Sequence, residues 1–191
     1  DDGSLQIAIV TASNAVEWTR VMLRAVRSEP GNSPFVTVMP ARSVRDAVLE
    51  AVDAGVRILV AFAENVPRMD ASIAVTAVRA SGGRMIGFNT NGAVSPGQGK
   101  VGGIGGDRTA LIYPAGRVGV CSRSGGMSAE ISFALGHAGL GVSTCVSMGG
   151  DPIVGMRMVE VLRLFEADPD TDAMVIFVEP GGTHESEVAD A

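Results

Sequence analysis

Two serines, an arginine and two glycines, Ser122-Arg123-Ser124-Gly125-Gly126, stand where an apolar run hands over to a helical pattern. Residues of these types at a helix start suit the binding of phosphate or carboxylate. The leading N–H groups of a helix lack internal acceptors, its dipole favours negative charge, and glycine lets an anion approach the main chain. The same five residues also suit a plain turn in which Ser124 is only an N-cap. Two further stretches have a similar build. In "SMGGDPIVG" (147–155) a glycine pair follows an apolar run, with Asp151 expected at a helix-capping position and Pro152 in the first helical turn. In "VIFVEPGGTHE" (175–185) Glu179 closes an apolar run ahead of Pro180-Gly181-Gly182, where a carboxylate could orient a histidine or move a proton.

The elements that must position these residues follow from periodicity. Apolar runs at 5–10, 34–39, 57–64, 84–88, 117–122, 143–149 and 173–179 have the continuous character of strands covered on both faces. Helical patterns separate them. Val44, Ala47, Val48, Ala51 and Val52 fall on one helix face, and Gly55 supplies the stop. A second helix is expected after Asp70 as N-cap, ending at Gly82-Gly83, and a third over 151–169 with Val154, Met158, Val161, Leu162 and Phe165 on one face. Strand and helix in alternation predict an α/β fold with a mainly parallel sheet, whose carboxyl edge is where such folds bind ligands. Residues 89–116 break the rhythm and read as an irregular crossover between two units, with a boundary near 114–116.

Composition narrows the function. The chain of 191 residues carries a net charge of −6 and one lysine, Lys100, which argues against a nucleic-acid backbone reader. Cys121 and Cys145 lie in apolar runs and read as reduced core thiols, and with His137 and His184 they do not make a metal-ligand set. No apolar run approaches about 18 residues, so no membrane contact and a cytoplasmic location are expected. No strand precedes a G-x-G-x-x-G and there is no G-x-x-x-x-G-K-[ST]; "GKVGGIGGD" (99–107) follows no strand. A nicotinamide-dependent dehydrogenase is thereby disfavoured.

From Pro40 to Ala191 the chain resembles the α subunit of succinate-CoA ligase and the corresponding region of ATP-citrate lyase. "LEAVDAGVRILVAFAENVP", "RMIGFNTNGAVSPGQGKVG", "GRVGVCSRSGGMSAE", "STCVSMGGDPIVG" and "FEADPDTDAMVIFVEPGG" carry the likeness, in order, over some three quarters of the sequence. The resemblance implies a CoA-binding Rossmann-like parallel-sheet domain over 1–115, followed by the first part of a flavodoxin-like parallel α/β domain over 116–191. The implied reaction joins a di- or tricarboxylic acid to CoA at the expense of ATP or GTP, through an acyl phosphate and a phosphorylated histidine. By matching position, Ser122, Ser124, Gly125 and Gly126 would hold the phosphoryl group. Glu179, in the place of the family's E-x-G-G glutamate, would orient the histidine, and Pro40, Glu64 and Asn89 would line the CoA site. Nucleotide and Mg²⁺ would come from an ATP-grasp β-type subunit or domain, making a hetero-oligomer. "SRSGGMS" is nearer to the ATP-citrate lyase wording than to S-R-S-G-T-L-T, which leans the acid toward citrate.

The departures from the family pattern are specific. "LQIAIVTASNAVEW" (5–18) lacks the glycine-rich loop expected after the first strand, Asn65 replaces a usual glycine, and the family's G-P-N-C-P-G reads Gly87-Phe88-Asn89-Thr90-Asn91-Gly92. The family's histidine falls beyond Ala191. His137, within "GHAGL", matches that histidine's wording but not its place, and reads as the last turn of the helix begun by Ser124. These departures keep a second reading open, a non-catalytic relative that binds CoA or an acyl-CoA.

Overall fold

The computed structural model describes residues 10–11, 35–38, 40–179 and 184–190. The stretch that lacks the expected glycines after the first apolar run lies outside the described residues. The first sheet holds β1 (Val10–Thr11), β2 (Phe35–Val38), β3 (Ile58–Ala61) and β4 (Arg84–Gly87), in that spatial order and all parallel. Helix α1 (Val44–Asp53) buries Val44, Ala47, Val48 and Ala51, the face that the spacing predicts, and Gly55 at φ +83 follows its end. Helix α2 (Arg68–Ala80) begins before Asp70, which is therefore not its N-cap; Pro67 takes that position and Asp70 sits in the first turn. There the Asp70 carboxylate accepts from Arg45 at 2.9 Å, joining α2 to α1. Val48, Leu59, Val78 and Met85 form the centre of this unit's core.

The second sheet holds β5 (Gly92–Ser95), β6 (Gly99–Val101), β7 (Ala115–Ser122), β8 (Val142–Ser147) and β9 (Ala173–Phe177), and runs β6-β5-β8-β7-β9. Its centre, β7, is parallel to β8 and to β9. Helix α3 (Thr109–Ile112) precedes β7, and α4 (Gly125–His137) follows it. Successive β7 residues serve opposite faces. Val120 packs with Tyr113 and Cys145 in a cluster that α4 also joins, while Cys121 packs with Phe165 of α5 (Met158–Ala167). A last helix, α6, spans His184–Ala189.

Two expectations change. Residues 89–116 are not an irregular crossover: β5 (Gly92–Ser95) and β6 (Gly99–Val101) form a hairpin that enters the second sheet antiparallel, next to β8. The hairpin is closed by Ser95-Pro96-Gly97-Gln98, with Gln98 N–H donating to Ser95 O at 3.0 Å and Gly97 at φ +80, the pattern of a Pro-Gly turn. The change of sheet accordingly falls between Gly87 and Gly92, ahead of the expected boundary near 114–116. Second, the helix expected to open at Asp151-Pro152 opens at Met158, capped by Arg157, whose N–H donates to Glu160 at 2.7 Å. The residues before it lie against β4, where Gly155 N–H reaches Gly87 O and Met156 N–H reaches Met85 O, each at 2.7 Å. Pairing with a strand edge outcompetes the helical start there.

Candidate functional site

The register of the second sheet brings three loops to one edge. Ser122 pairs with Ser147 on one side and with Phe177 on the other, so the chain leaves β7, β8 and β9 side by side. Because β5 is antiparallel, its first residue, Gly92, also pairs with Ser147. The segment 88–91 therefore runs from the carboxyl edge of β4 in the first sheet directly to the carboxyl edge of the second. It is fastened there. Buried Thr90 bonds through its hydroxyl to Ser147 O and accepts from Gly92 N–H at 2.8 Å, and Asn91 N–H donates to Ser147 Oγ at 3.3 Å. On the other flank Gly149, at φ +99, lies so close to Phe88 O that no side chain could stand in its place.

At the start of α4 the sequence-predicted residues divide into two roles. Ser124 is the N-cap, accepting from Met127 N–H at 3.4 Å, and is half-buried. The amides of Gly125 and Gly126, first in the helix, take no acceptor among the described residues, and Gly126 is exposed. These two donors and the helix dipole fit an anion. Ser122 is different. It is fully buried, donating through its hydroxyl to Ser124 O at 2.7 Å and accepting from Ser124 N–H at 3.1 Å, so its hydroxyl shapes the turn. Arg123 reaches back over the neighbouring loop, donating to Gly150 O at 2.9 Å and to Asp151 O at 3.1 Å, while its own N–H bonds Phe177 O. Asp151 is buried within that loop.

Beneath α4 lies a polar layer inside an apolar cluster. Ser128 and Ser132 are fully buried and donate to the carbonyls of Gly125 and Ser128, each at 2.7 Å. Burial pushes the Tyr113 hydroxyl up to about 12, partly opposed by a hydrogen bond with Ser128. Burial likewise pushes the Cys145 thiol up to about 11 and the Cys121 thiol up to about 12. Both thiols are free and neutral at physiological pH, which makes them packing groups rather than nucleophiles. His137 occupies the last turn of α4, exposed, with Nδ1 at 3.0 Å from Phe133 O and its ring against Phe133.

The remaining predicted residues line the adjoining edge. Pro40 follows β2, Glu64 follows β3 and Asn89 follows β4, and all three are exposed. Asn89 N–H donates to Ala63 O at 3.0 Å, which joins the last two loops. Glu179, also exposed, stands two residues past β9. Its carboxylate and the Asn89 carboxamide converge on Gly150, at 4.0 and 3.7 Å from where a Cβ would lie. Sequence reasoning assigned no role to Asn91, Thr90 or Ser147, which fasten or flank the site. Only the polar density of "NTN" ahead of a strand signals them. The described residues hold no cluster of His, Cys, Asp or Glu that could bind a metal ion, and no helix among them is long and apolar enough to cross a membrane.

Comparison with known proteins adds to this geometry. A family model described as CoA-ligase matches residues 121–191. The chain is 39% identical over 170 residues to a subunit of the ADP-forming sulfoacetate-CoA ligase of Bilophila wadsworthia, covering 88% of this chain and 57% of that protein. It is 33% identical over 190 residues to the α subunit of ADP-forming succinate–CoA ligase from Aquifex aeolicus, covering 98% and 59%. The ATP citrate lyase of Methanothrix soehngenii, solved with citrate and coenzyme A, superposes with a TM-score of 0.79 at 26% identity, over 88% of this chain and 28% of that one. The chain spans little more than half the length of these curated relatives.

Proposed function

We propose that this chain is the α-type segment of an ADP-forming acid–CoA ligase, a reading supported by its similarity to subunits of such ligases and by the match of residues 121–191 to the CoA-ligase family model. The reaction would form an acyl-CoA from a small carboxylic acid of the succinate or citrate type, CoA and ATP or GTP. The observation that carries this reading is segment 88–91. It links the first sheet's edge, with Asn89, to the second sheet's edge, where the unpartnered amides of Gly125 and Gly126 open α4.

Each residue then has a task. Ser124, Gly125 and Gly126 would hold the phosphoryl group through the helix N-terminus, with Ser122 keeping the turn in shape from below. Glu179, beside Gly150, would accept a hydrogen bond from the family's histidine and fix its tautomer. Pro40, Glu64 and Asn89 would line the CoA site; exposed groups at the carboxyl edge of a parallel sheet fit a ligand of that kind. CoA supplies the thiol that takes up the acyl group. Nucleotide and Mg²⁺ would be held by an ATP-grasp partner in a cytoplasmic hetero-oligomer.

The test uses the full-length protein with its nucleotide-binding partner, supplied with ATP, CoA and, in turn, succinate, sulfoacetate and citrate. ADP release that requires both CoA and one of the acids is the expected result. Binding of CoA without turnover of any acid would contradict ligase activity and leave a CoA-binding relative.

A further inference from the structure

We propose that Asn91 is a specificity-determining residue of the acid site, its carboxamide donating a hydrogen bond to the oxygens of the acid as it passes between phosphoryl group and CoA. The inference rests on the acid–CoA ligase reading above. It begins from contact: the Asn91 carboxamide is seated against Gly125, the first residue of α4, and a methyl group on Gly125 would overlap it. Asn91 thus stands directly over the first residue of α4 and places a side-chain amide at the rim of the anion site.

Its backbone is fixed and its side chain is not spent. Asn91 N–H is held by Ser147 Oγ at 3.3 Å, and Thr90 Oγ1 accepts from Gly92 N–H at 2.8 Å, so the residue is fastened on both sides. The carboxamide itself, which is exposed, has no hydrogen-bond partner among the described residues. In the family pattern G-P-N-C-P-G this position is a proline, which has no side-chain donor. The sequence here replaces it with a group that has two donors and one acceptor.

The chemistry says which part of the reaction lies there. In the acid step a carboxylate oxygen bonds phosphorus while the phosphorus–nitrogen bond of the phosphohistidine breaks, its electron pair returning to the imidazole, and an acyl phosphate results. The CoA thiolate then bonds the acyl carbon, and inorganic phosphate leaves with the electron pair of the broken C–O bond. The acyl group must therefore lie between the phosphoryl and CoA sites. Asn91 touches Gly125 on the phosphoryl side and stands two residues from Asn89 on the CoA side. A neutral donor there can bind an acid oxygen without competing with the helix amides for the phosphoryl charge.

The experiment measures kcat and KM of the full-length protein with its partner, for whichever of succinate, sulfoacetate and citrate it turns over best. N91A is expected to raise the acid's KM by about tenfold, while the KM values for CoA and ATP stay within about twofold and the melting temperature is unchanged. N91D, nearly the same shape, should raise the acid's KM further because a carboxylate then faces a carboxylate. N91P, which restores the family pattern, should change the order of preference among the three acids. An acid KM that N91A and N91D leave unmoved, or a CoA KM that moves in parallel, overturns the role of Asn91 alone. A wild-type complex that turns over none of the three acids overturns the ligase reading and this inference together.

Discussion

At the carboxyl edge of the first sheet the groups available to a ligand are exposed side chains, Pro40, Glu64 and Asn89, standing on separate loops. At the carboxyl edge of the second sheet they are mostly backbone amides. The hydroxyls that could have served as ligands, Ser122, Thr90 and Ser147, are buried and engaged with the main chain. The first edge can change its ligand contacts without disturbing its fold, because those side chains support nothing beneath them. The second edge is a shaped turn, where the residues that define the site also hold it together. Ser124, Asn91 and Glu179 are the exceptions, the first only partly buried and the other two exposed.

The largest expected effect comes from separating these two properties at Ser124. Ser124→Asp keeps an excellent N-cap and so leaves the melting temperature unchanged or slightly higher. The added negative charge at the anion site should lower turnover by about a hundredfold or more. Loss of turnover together with a lowered melting temperature would mean that the turn had collapsed instead. Next in size is Thr90→Val, which leaves the buried Ser147 carbonyl and Gly92 amide without their shared hydroxyl. A cost of about 2 kcal/mol is expected, read as a fall of roughly 4–8 °C in a thermal melt. Since segment 88–91 serves both edges, CoA affinity should weaken as well.

Glu64→Ala is the counterpart on the open edge. A CoA KM raised by about three- to fivefold with an unchanged melt is expected; a lowered melt would remove the contrast between the edges. A last effect concerns stability at high pH and is centred on the second unit, where both cysteines of the chain lie. Burial holds Cys145 protonated to about 11 and Cys121 to about 12, whereas an unfolded thiol loses its proton near its ordinary value. Above that value the unfolded chain binds fewer protons than the folded one, so stability falls as pH rises, until the folded values are passed. The urea midpoint should drop between pH 8 and pH 10.5, and Cys145→Ala should make that drop shallower.

Much of this fold is legible in short-range pattern. The i, i+3, i+4 spacing of Val44, Ala47, Val48 and Ala51 gives α1, and Gly55 marks its end. The junction at Ser122–Gly125 was readable for the same reason, a continuous apolar strand meeting an N-cap serine. The β5–β6 hairpin escapes the same pattern: Pro96-Gly97 marks its turn, but polar flanks obscure two strands of only four and three residues, and the segment reads as an irregular crossover. What the sequence could not reveal depends on distant partners. Asp151-Pro152 has the chemistry of a helix start, yet Gly155 and Met156 pair with β4 some 70 residues away and delay α5. Ser122 looks like an anion donor until its hydroxyl is seen turned into its own loop. Asn91 gains meaning only from the approach of Gly125, 34 residues later.

If the amides at the start of α4 hold a phosphoryl group arriving on a histidine, the enzyme passes through a phosphorylated state of that histidine. Incubating the full-length protein and its nucleotide-binding partner with ATP labelled at the γ-phosphate tests it most directly. The expected result is an acid-labile, base-stable label on the α-type protein that disappears when CoA and the acid are added. A well-folded complex that acquires no such label would contradict the account.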